Sequence, residues 1–375
     1  MKTILHISKY YYPDLGGIES VSRFLCENLT DYNHEVICFA TDKAMGINYV
    51  SGITVHRVPV QLSFMSQDIA FGYYRQLKLI ISQSSPDIVV IHTPNPFLYP
   101  MVTRILPSHT KLIVLWHSDI LAKGIMYKAI RPFETALLRR ADMIIATSQE
   151  YADHSQPLAP YKDKIQILQN AVNTSMFDKR PGDDKKIAKI RRMYGGKKIV
   201  FFVGRHIRYK GIDRLIESEQ YVKGDCVFVI AGIGPLTTWL EHKAMGRDRI
   251  HFVGRLSDED LRCHLHAADI FGFSSIYKAE AFGVALAEAM YCRAVPVTFT
   301  IDGSGVNWVC VNGETGIQVP LDDVHAYAAA IDELLANDTL RNTYAENAQK
   351  RIETNFTDKV VSIAANKLFI NMISD

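Results

Sequence analysis

Two carboxylates and a glycine lie close together in the segment 274–290. Glu280 precedes Gly283 in a short stretch that follows an apolar run. A pattern rich in Ala, Leu and Met then predicts a helix, and Glu288 lies about one turn inside it. The free amides of a helix N-terminus bind anions, and carboxylates accept hydrogen bonds from sugar hydroxyls. The spacing therefore favours a phosphate site flanked by two polyols. The alternative is an ordinary amphipathic helix with two solvated glutamates.

Two cations follow the predicted strand 198–203. Arg205 comes after the turn residue Gly204, and Lys210 lies five residues further on, next to Gly211. A guanidinium binds phosphate as a fork and an ammonium binds it as a point charge, so this pair could hold a diphosphate. The alternative is an arginine and a lysine that face solvent.

Polar residues also follow the predicted strands of the N-terminal half. His117 comes directly after the apolar run 113–116, and polar clusters at 92–95 and 147–148 occupy equivalent positions. Ligands of parallel α/β sheets bind beyond the carboxyl ends of the strands, so these clusters should face one crevice. A lone histidine can instead be a structural hydrogen-bonding group. Gly16 and Gly17 form a turn that admits a ligand or is a plain turn, and they do not complete G-x-G-x-x-G.

Strand and helix patterns alternate along the chain, which predicts a doubly wound α/β fold with parallel sheets covered on both faces. A polar connection at 178–198 separates two strand series. The predicted strands are 3–8, 35–40, 87–92, 111–116, 143–146 and 165–168, then 198–203, 226–230, 250–253, 270–273, 294–298 and 317–319. The second series has glycine loops at 231–235 and 254–256, and Ser257 with Asp260 forms a helix-capping box.

Length and composition limit the class of protein. The 375 residues indicate two domains, and 48% hydrophobic with 22% charged residues is typical of a globular chain. A net charge of +2 argues against a dedicated nucleic-acid binder. The six cysteines are scattered and indicate buried, reduced thiols of a cytosolic protein. We expect neither a signal peptide nor a membrane span, and no cluster has convincing metal-ligand spacing.

The stretch 104–140 is basic and amphipathic. Two acids, Asp119 and Glu134, oppose seven cations, and apolar residues alternate with them. Such a face could contact anionic lipid headgroups or a lipid-diphosphate acceptor. A solvated helix with one side in the core is the alternative. The cations are Arg104, Lys111, Lys123, Lys128, Arg131, Arg139 and Arg140.

The order of the second-half motifs resembles the retaining glycosyltransferases of family 4, whose fold is GT-B. The motifs are Gly204-Arg205 with Lys210-Gly211, then Gly232-Ile233-Gly234-Pro235, then Glu280 and Glu288 with seven residues between them. Gly16-Gly17, His117 and Ser148 match the acceptor-side positions of the family. The resemblance covers residues 3 to about 360.

The resemblance implies two Rossmann-like domains, 1–178 and 179–358, with an active-site cleft between them and a C-terminal segment, 359–375, that returns to the first domain. It implies that Arg205 and Lys210 contact the donor diphosphate, that Glu280 and His117 contact the transferred sugar, and that Ala281, Phe282 and Gly283 contact sugar and phosphate through the backbone. It also implies that Glu288 binds the ribose, that Gly254, Arg255 and Leu256 line the base, and that Gly232 contacts the donor. Gly16 and Gly17 are implied to contact phosphate or acceptor.

Two positions depart from or refine the family pattern. Asn170-Ala171-Val172-Asn173 stands where the family usually has Asn-Gly-Val-Asp, so the hinge between the two implied domains is expected to differ from that of the family. Gly303-Ser304-Gly305 suits transferases of polysaccharides and glycolipids.

The expected function is metal-independent transfer of a hexose-type sugar, with retention, from a nucleotide-diphosphate sugar to a glycan or lipid-linked acceptor. Surface polysaccharide or lipopolysaccharide assembly is the expected setting, in the cytoplasm or at the inner face of the membrane. No nucleic acid and no cofactor besides the sugar nucleotide is expected. The alternatives are a nucleotide-sugar epimerase or hydrolase on the same fold, and a non-catalytic nucleotide-sugar-binding partner.

Overall fold

The computed structural model describes residues 1–14, 16–40, 46–64, 67–120 and 125–374. They divide into two compact units, one formed by Met1–Ala171 with Asp358–Asp375 and the other by Val172–Thr357. The domain bounds 1–178 and 179–358 stay a prediction. Leu121 and Lys123, which belong to the basic stretch, lie outside the described residues.

The strands are, in chain order, β1 (Lys2–Ile7), β2 (Tyr32–Ala40), β3 (Gly46–Val50), β4 (Ile53–Pro59), β5 (Leu62–Phe64), β6 (Gln67–Ile69), β7 (Ile88–Thr93), β8 (Lys111–Trp116), β9 (Met143–Ala146), β10 (Ile165–Ile167), β11 (Lys198–Val203), β12 (Cys226–Ala231), β13 (Ile250–Gly254), β14 (Ile270–Phe273), β15 (Val295–Phe299) and β16 (Ile317–Val319).

The helices are α1 (Gly17–Asn28), α2 (Tyr73–Ser84), α3 (Tyr99–Ile105), α4 (Ile125–Arg140), α5 (Gln149–His154), α6 (Thr174–Phe177), α7 (Asp183–Met193), α8 (Ile212–Glu219), α9 (Thr237–Lys243), α10 (Asp258–Ala267), α11 (Val284–Tyr291), α12 (Val306–Val309), α13 (Val324–Ala336), α14 (Asp338–Asn355) and α15 (Asp358–Ser374). Two 3-10 segments are Ala159–Lys164 and Arg208–Lys210.

The first unit is built on a sheet with the order β10-β9-β8-β7-β1-β2-β4-β3. Its strands pair in parallel except β3 and β4, which are antiparallel. Every residue of β7 is buried, as expected for a parallel strand covered on both faces. The C-terminal helix α15 packs on this unit, where Val361, Ala365 and Phe369 belong to its core. The order reverses between β1 and β7, so a crevice is expected at the carboxyl ends of these strands.

The pair β3–β4 is a hairpin that the sequence analysis did not predict. Its turn is Ser51-Gly52, and both residues have positive φ, 51° and 81°. A two-residue turn of this kind matches the twist of antiparallel strands. The strand β3 leaves Ile47 and Tyr49 exposed, so its buried face is small.

The second unit contains a parallel sheet with the order β13-β12-β11-β14-β15-β16. Each of its predicted strands is present, and the doubly wound α/β prediction is confirmed in both units. The helix α10 starts as predicted, since the amide of Asp260 donates to the Ser257 hydroxyl over 3.1 Å. The strand order reverses at β11, between β12 and β14, so a crevice is expected at the carboxyl ends of β11 and β14.

All six cysteines are buried and free, as the sequence indicated. No helix within the described ranges is both long enough and apolar enough to cross a lipid bilayer.

Candidate active site

Lys210 lies at the carboxyl edge of the second sheet, after β11. The 3-10 turn that carries it ends at Gly211, whose φ is +59°. A Cβ on Gly211 would lie 2.1 Å from the carbonyl oxygen of Ser274, so a side chain there collides with backbone. The Ser274 hydroxyl donates to the Lys210 carbonyl over 3.0 Å. The close contact between the ends of β11 and β14 therefore fixes the position of Lys210.

Glu280 is the ion-pair partner of Lys210. The two side chains are 12% and 14% exposed, respectively, and the ammonium donates to Oε2 of Glu280. The Ser275 hydroxyl donates to the same oxygen over 3.1 Å. Burial alone would lower the pKa of Lys210, but Glu280 and Tyr209 outweigh it, so the pKa is raised and the charge is retained. The crevice thus holds a desolvated cation and an anion in direct contact.

Arg205 follows β11 and is exposed, unlike Lys210. Burial raises the pKa of the Tyr209 phenol, Lys210 and Arg205 lower it, and Glu280 raises it further. Lys210, Arg205 and Glu280 thus all act electrostatically on the Tyr209 phenol. Lys210 contacts Glu280 directly and lies 5.3 Å from the centre of the Tyr209 ring, and the charge of Arg205 acts on the same tyrosine.

The helix α11 begins directly after Gly283, which has a φ of +84°. A Cβ on this glycine would lie 3.1 Å from the Phe273 ring, so space and backbone conformation both favour glycine. Among the described residues, no side chain caps this helix. The first amides of α11 are therefore left for a ligand or water. Ala281 and Phe282 before it are buried, and the Phe282 ring packs against Phe356 at 5.3 Å, so only their backbone is suited to contact a ligand.

Glu288 lies on α11 and is partly buried. Among the residues that the structure describes, its carboxylate has no hydrogen-bond or ion-pair partner. Burial raises its pKa to about 8. Glu280 and Glu288 thus differ in kind, because only Glu280 has a cation beside it.

Glycines line the ends of three neighbouring strands in this unit. The amide of Gly232 donates to the carbonyl of Gly254 over 2.7 Å, and a Cβ on Gly232 would lie 1.9 Å from the carbonyl oxygen of Gly204. Gly254 has open space where a Cβ would stand. Arg255 is exposed, and Leu256 packs against the core. These loops leave backbone accessible beside the crevice.

The predicted residues of the first unit lie at its own sheet edge. His117 follows β8, and its Nε2 is 3.1 Å from Nδ1 of His92. Burial lowers the pKa of His117 to about 3, so its ring is neutral at physiological pH. Ser148 caps α5 by accepting from the Tyr151 amide over 3.1 Å, which is a structural role.

Gly16 and Gly17 stand at the start of α1. Gly17 has open space around it, whereas a Cβ on Gly16 would lie 2.2 Å from Oε2 of Glu19. Burial is the main cause that raises the pKa of Glu19 above its ordinary value of 4.5. The turn therefore has one open glycine and one that contacts a carboxylate.

One group of potential metal ligands occurs in the described part of the chain, namely His6, Cys26 and His34 in the first unit. Two of its nitrogens already contact each other, since His6 Nε2 is 3.0 Å from His34 Nδ1. The expectation that transfer needs no metal stays a prediction.

Three residues in contact with the predicted set were not assigned as site residues from the sequence. The Tyr209 ring lies beneath the Lys210 ammonium, which is 5.3 Å from the ring centre, Ser275 contacts the Glu280 carboxylate, and the Ser304 hydroxyl donates to the Glu280 carbonyl over 2.5 Å. The signal for Ser304 was its position in the glycine loop 303–305, and that for Ser275 was the pair of small hydroxyl residues after β14.

Two family models match most of the chain between them. Residues 183–351 match the family described as glycosyl transferases group 1, and residues 15–176 match glycosyltransferase family 4. The chain is a family 4 glycosyltransferase.

Two curated relatives of this glycosyltransferase cover almost its whole length. It is 29% identical over 360 residues to D-rhamnosyltransferase WbpZ of Pseudomonas aeruginosa, over 94% of this chain and 92% of that protein. It is 28% identical over 361 residues to O-antigen chain mannosyltransferase C of Escherichia coli, over 94% of each chain.

Solved structures show the same GT-B fold. Sucrose-phosphate synthase from Thermosynechococcus elongatus aligns with a TM-score of 0.80 at 18% identity, with both chains fully covered. The Anabaena protein HepE in complex with UDP and glucose aligns with a TM-score of 0.78 at 18% identity, again over both whole chains.

Proposed function

We propose that this glycosyltransferase moves a hexosyl group, with retention and without a metal ion, from a nucleoside-diphosphate sugar to a glycan or lipid-linked acceptor. The observation that carries the proposal is the partly buried Lys210–Glu280 pair, whose glutamate lies three residues before Gly283 at the uncapped start of α11. Such an arrangement offers a cation and free amides to an anion, and a carboxylate to hydroxyls.

The chemistry requires these groups. Cleavage of the bond between sugar and phosphate leaves negative charge on the departing diphosphate and positive charge on the sugar. Lys210, Arg205 and the first amides of α11 would stabilise the diphosphate where its charge develops. A preformed cation in a water-poor site supplies much of what a metal ion would otherwise supply.

The ion pair also suggests how the donor is held. When a diphosphate oxygen approaches Lys210, it replaces one oxygen of Glu280 as the partner of the ammonium. Glu280 is then available to accept from hydroxyls of the transferred sugar. A carboxylate that has lost its ion-pair partner binds those hydroxyls strongly, since hydrogen bonds to charged groups contribute about 1.5–3 kcal/mol.

The donor and the transferred sugar are inferred from relatives. HepE was solved with UDP and with glucose, which supports a nucleoside diphosphate as leaving group. The two curated relatives are named for transfer of D-rhamnose and mannose. D-rhamnose is the 6-deoxy form of D-mannose, so the two sugars share one ring configuration. We therefore propose a hexose of the manno configuration, and the O-antigen relative supports surface polysaccharide assembly as the setting.

A face of α4 in the first unit is proposed to contact an anionic membrane surface. Lys128, Arg131 and Arg139 are exposed on it, and Phe133 is 47% exposed. Glu134, the one acid of this helix, is buried, and its carboxylate accepts from the Tyr127 hydroxyl. Basic and aromatic residues on one helix favour the interface of anionic lipids.

Vesicle flotation tests this contact. Wild type should float with vesicles that contain phosphatidylglycerol and should not float with phosphatidylcholine alone. The double variant Lys128→Glu/Arg131→Glu should lose flotation, while Lys185→Glu/Lys189→Glu, at exposed lysines of α7, should retain it. Equal flotation of both variants would contradict the proposal.

Transfer itself is tested with sugar donors of UDP, GDP and ADP, first by thermal shift and then by product analysis. Lys210→Ala and Arg205→Ala should lower kcat roughly 100-fold or more, as removal of groups that stabilise developing charge does. Lys243→Ala is the matched control, because Lys243 also pairs with a glutamate, Glu217, but outside the crevice. Near wild-type turnover of Lys210→Ala would refute the proposal.

Retention and metal independence need their own measurements. The anomeric configuration of the product, read by NMR from the coupling of the anomeric proton and carbon, should equal that of the donor. Turnover should be unchanged by excess EDTA. An inverted product, or activity that EDTA removes and Mg²⁺ restores, would overturn the corresponding part of the proposal.

A further inference from the structure

Four buried histidines form a continuous chain across the first sheet. His34 lies on β2, His6 on β1 and His92 on β7, and His117 follows β8, so the four come from adjacent strands. They are 5%, 0%, 0% and 8% exposed, respectively. Nitrogen-to-nitrogen distances are 3.0 Å from His34 Nδ1 to His6 Nε2, 3.3 Å from His6 Nδ1 to His92 Nε2, and 3.1 Å from His92 Nδ1 to His117 Nε2.

One end of this histidine chain fixes its direction. Nε2 of His34 lies 2.9 Å from the carbonyl oxygen of Leu29. A carbonyl only accepts, so this nitrogen carries the proton. A neutral imidazole has one donor and one acceptor, so Nδ1 of His34 must accept, and Nε2 of His6 must donate to it.

The same rule passes along the remaining rings. Nδ1 of His6 accepts from Nε2 of His92, and Nδ1 of His92 accepts from Nε2 of His117. Burial lowers the pKa of each of the four rings, which keeps the chain neutral. The reverse direction of hydrogen-bond donation is excluded, because it would leave Nε2 of His34 and the Leu29 carbonyl as two acceptors in contact.

The remaining nitrogen is Nδ1 of His117, which has no hydrogen-bond partner among the described residues. We propose that the histidine chain holds His117 as its Nε2–H tautomer, so that Nδ1 presents a lone pair that accepts a sugar hydroxyl at this edge of the first sheet. His34, His6 and His92 are then positioning residues for His117. The identity of the ligand as a sugar hydroxyl rests on the proposed function, whereas the tautomer does not.

The chain also has a consequence for substrate choice. A fixed acceptor binds a hydroxyl that can donate and gains nothing from a ligand group that only accepts. A free imidazole could exchange tautomers and bind either kind of group. The chain removes that freedom, because the other tautomer at His117 would break the buried hydrogen bond to His92 or, with all four rings reversed, the one between His34 and the Leu29 carbonyl.

Long-range proton–nitrogen NMR of the protein labelled with ¹⁵N-histidine tests the tautomer directly. The His117 signals are assigned by their loss in His117→Gln. Wild type should show a protonated Nε2 and an unprotonated Nδ1 for His117, and the same for the other three rings. A protonated Nδ1 or an imidazolium at His117 would overturn the inference, whether or not transfer activity is found.

Variants of His92 separate positioning from packing. His92→Phe removes the acceptor of His117 and should allow both tautomers to appear in the spectrum, with kcat/KM for the donor roughly threefold to tenfold lower, as for the loss of one hydrogen bond. His92→Asn offers an amide oxygen near the position of Nδ1 and should restore the wild-type His117 signals. Wild-type signals for His117 in His92→Phe, at retained thermal stability, would refute the positioning role.

Addition of Zn²⁺ provides an independent control, since His6 and His34 also belong to the three potential metal ligands. Unchanged nitrogen signals with equimolar Zn²⁺ support a chain of hydrogen bonds. Loss of the proton on His6 Nε2 with zinc bound would overturn it, because the link from His6 to His34 would then be replaced by a metal.

Discussion

Replacement of Glu288 with glutamine removes a partly buried carboxylate that has no hydrogen-bond or ion-pair partner in the described part of the chain. Its ordinary pKa is 4.5, and burial raises it to about 8. Below about pH 4.5 both folded and unfolded chains hold the proton, so the residue costs no stability. Between about pH 4.5 and 8 only the unfolded chain releases it, and the folded state loses about 1.4 kcal/mol per pH unit. Above about pH 8 the cost is constant.

Glutamine has the same shape and no charge, so Glu288→Gln should stabilise the protein in a pH-dependent way. At pH 7 the gain is at most about 3 kcal/mol, and water that reaches the partly buried carboxylate lowers it to about 1–2 kcal/mol. At pH 5 the gain should be less than about 1 kcal/mol. Urea unfolding of both proteins at pH 5, 7 and 8 measures the difference. Glu353→Gln, at an exposed glutamate of α14, is the control and should show no such trend.

The same variant should bind nucleotide more weakly although it is more stable. A ribose would donate two hydroxyls to the carboxylate, and glutamine accepts with only one of its two polar atoms. We expect roughly tenfold weaker binding of whichever of UDP, GDP and ADP binds wild type best. Calorimetry at pH 7 in two buffers should also show proton release on binding to wild type. Equal stability differences at pH 5 and pH 8 would refute the reasoning about burial.

Two further predictions concern the supports of the site. Gly211→Ala should destabilise the protein by about 1–3 kcal/mol and lower kcat, since a Cβ there meets the Ser274 carbonyl at a positive φ. Urea unfolding and kinetics measure the two effects. Gly246→Ala is the control, because Gly246 also has a positive φ but has open space where a Cβ would stand. Asp183→Asn should cost about 3–5 kcal/mol, because it leaves Arg262 buried without its carboxylate partner. The hydrogen bonds from Arg262 hold the pKa of Asp183 below its ordinary 3.8, so this stability is present above about pH 4 and is lost as the pH falls; a difference that grows below pH 4 would contradict it.

Much of the fold could be predicted because its strands are buried on both faces. A run such as 88–93 must be continuous in apolar residues to lie within a covered parallel sheet, so its ends are visible in the sequence. The edge strand β3 has no such constraint, since Ile47 and Tyr49 are exposed. Its signal in the sequence was the Ser51-Gly52 turn, and such a turn indicates a hairpin only where the residues on both sides are recognised as strands.

The sequence predicted which residues belong to the candidate site but not which of them contact one another. The spacing of Glu280 and Gly283 predicted the start of α11, which is confirmed. That Lys210 contacts Glu280 depends on β11 and β14 being neighbours, which sequence distance does not state. The histidine chain depends likewise on the order β2-β1-β7-β8, since its members lie up to 86 residues from the ring they contact.

The two glutamates of this region show why spacing alone could not separate their roles. One lies beside Lys210, and its charge is balanced by the ammonium before any ligand arrives. The other lies on α11, and its charge is opposed by burial. On the proposed function, a diphosphate would draw the cation from Glu280 and leave an anion that needs hydroxyl donors, whereas Glu288 would gain its charge only when ribose hydroxyls arrive to stabilise it. Both carboxylates would thus be ionised and free to accept from hydroxyls only with the sugar nucleotide bound. Ligands that lack either set of hydroxyls would leave one carboxylate charged or unpaired without compensation, so they would bind more weakly.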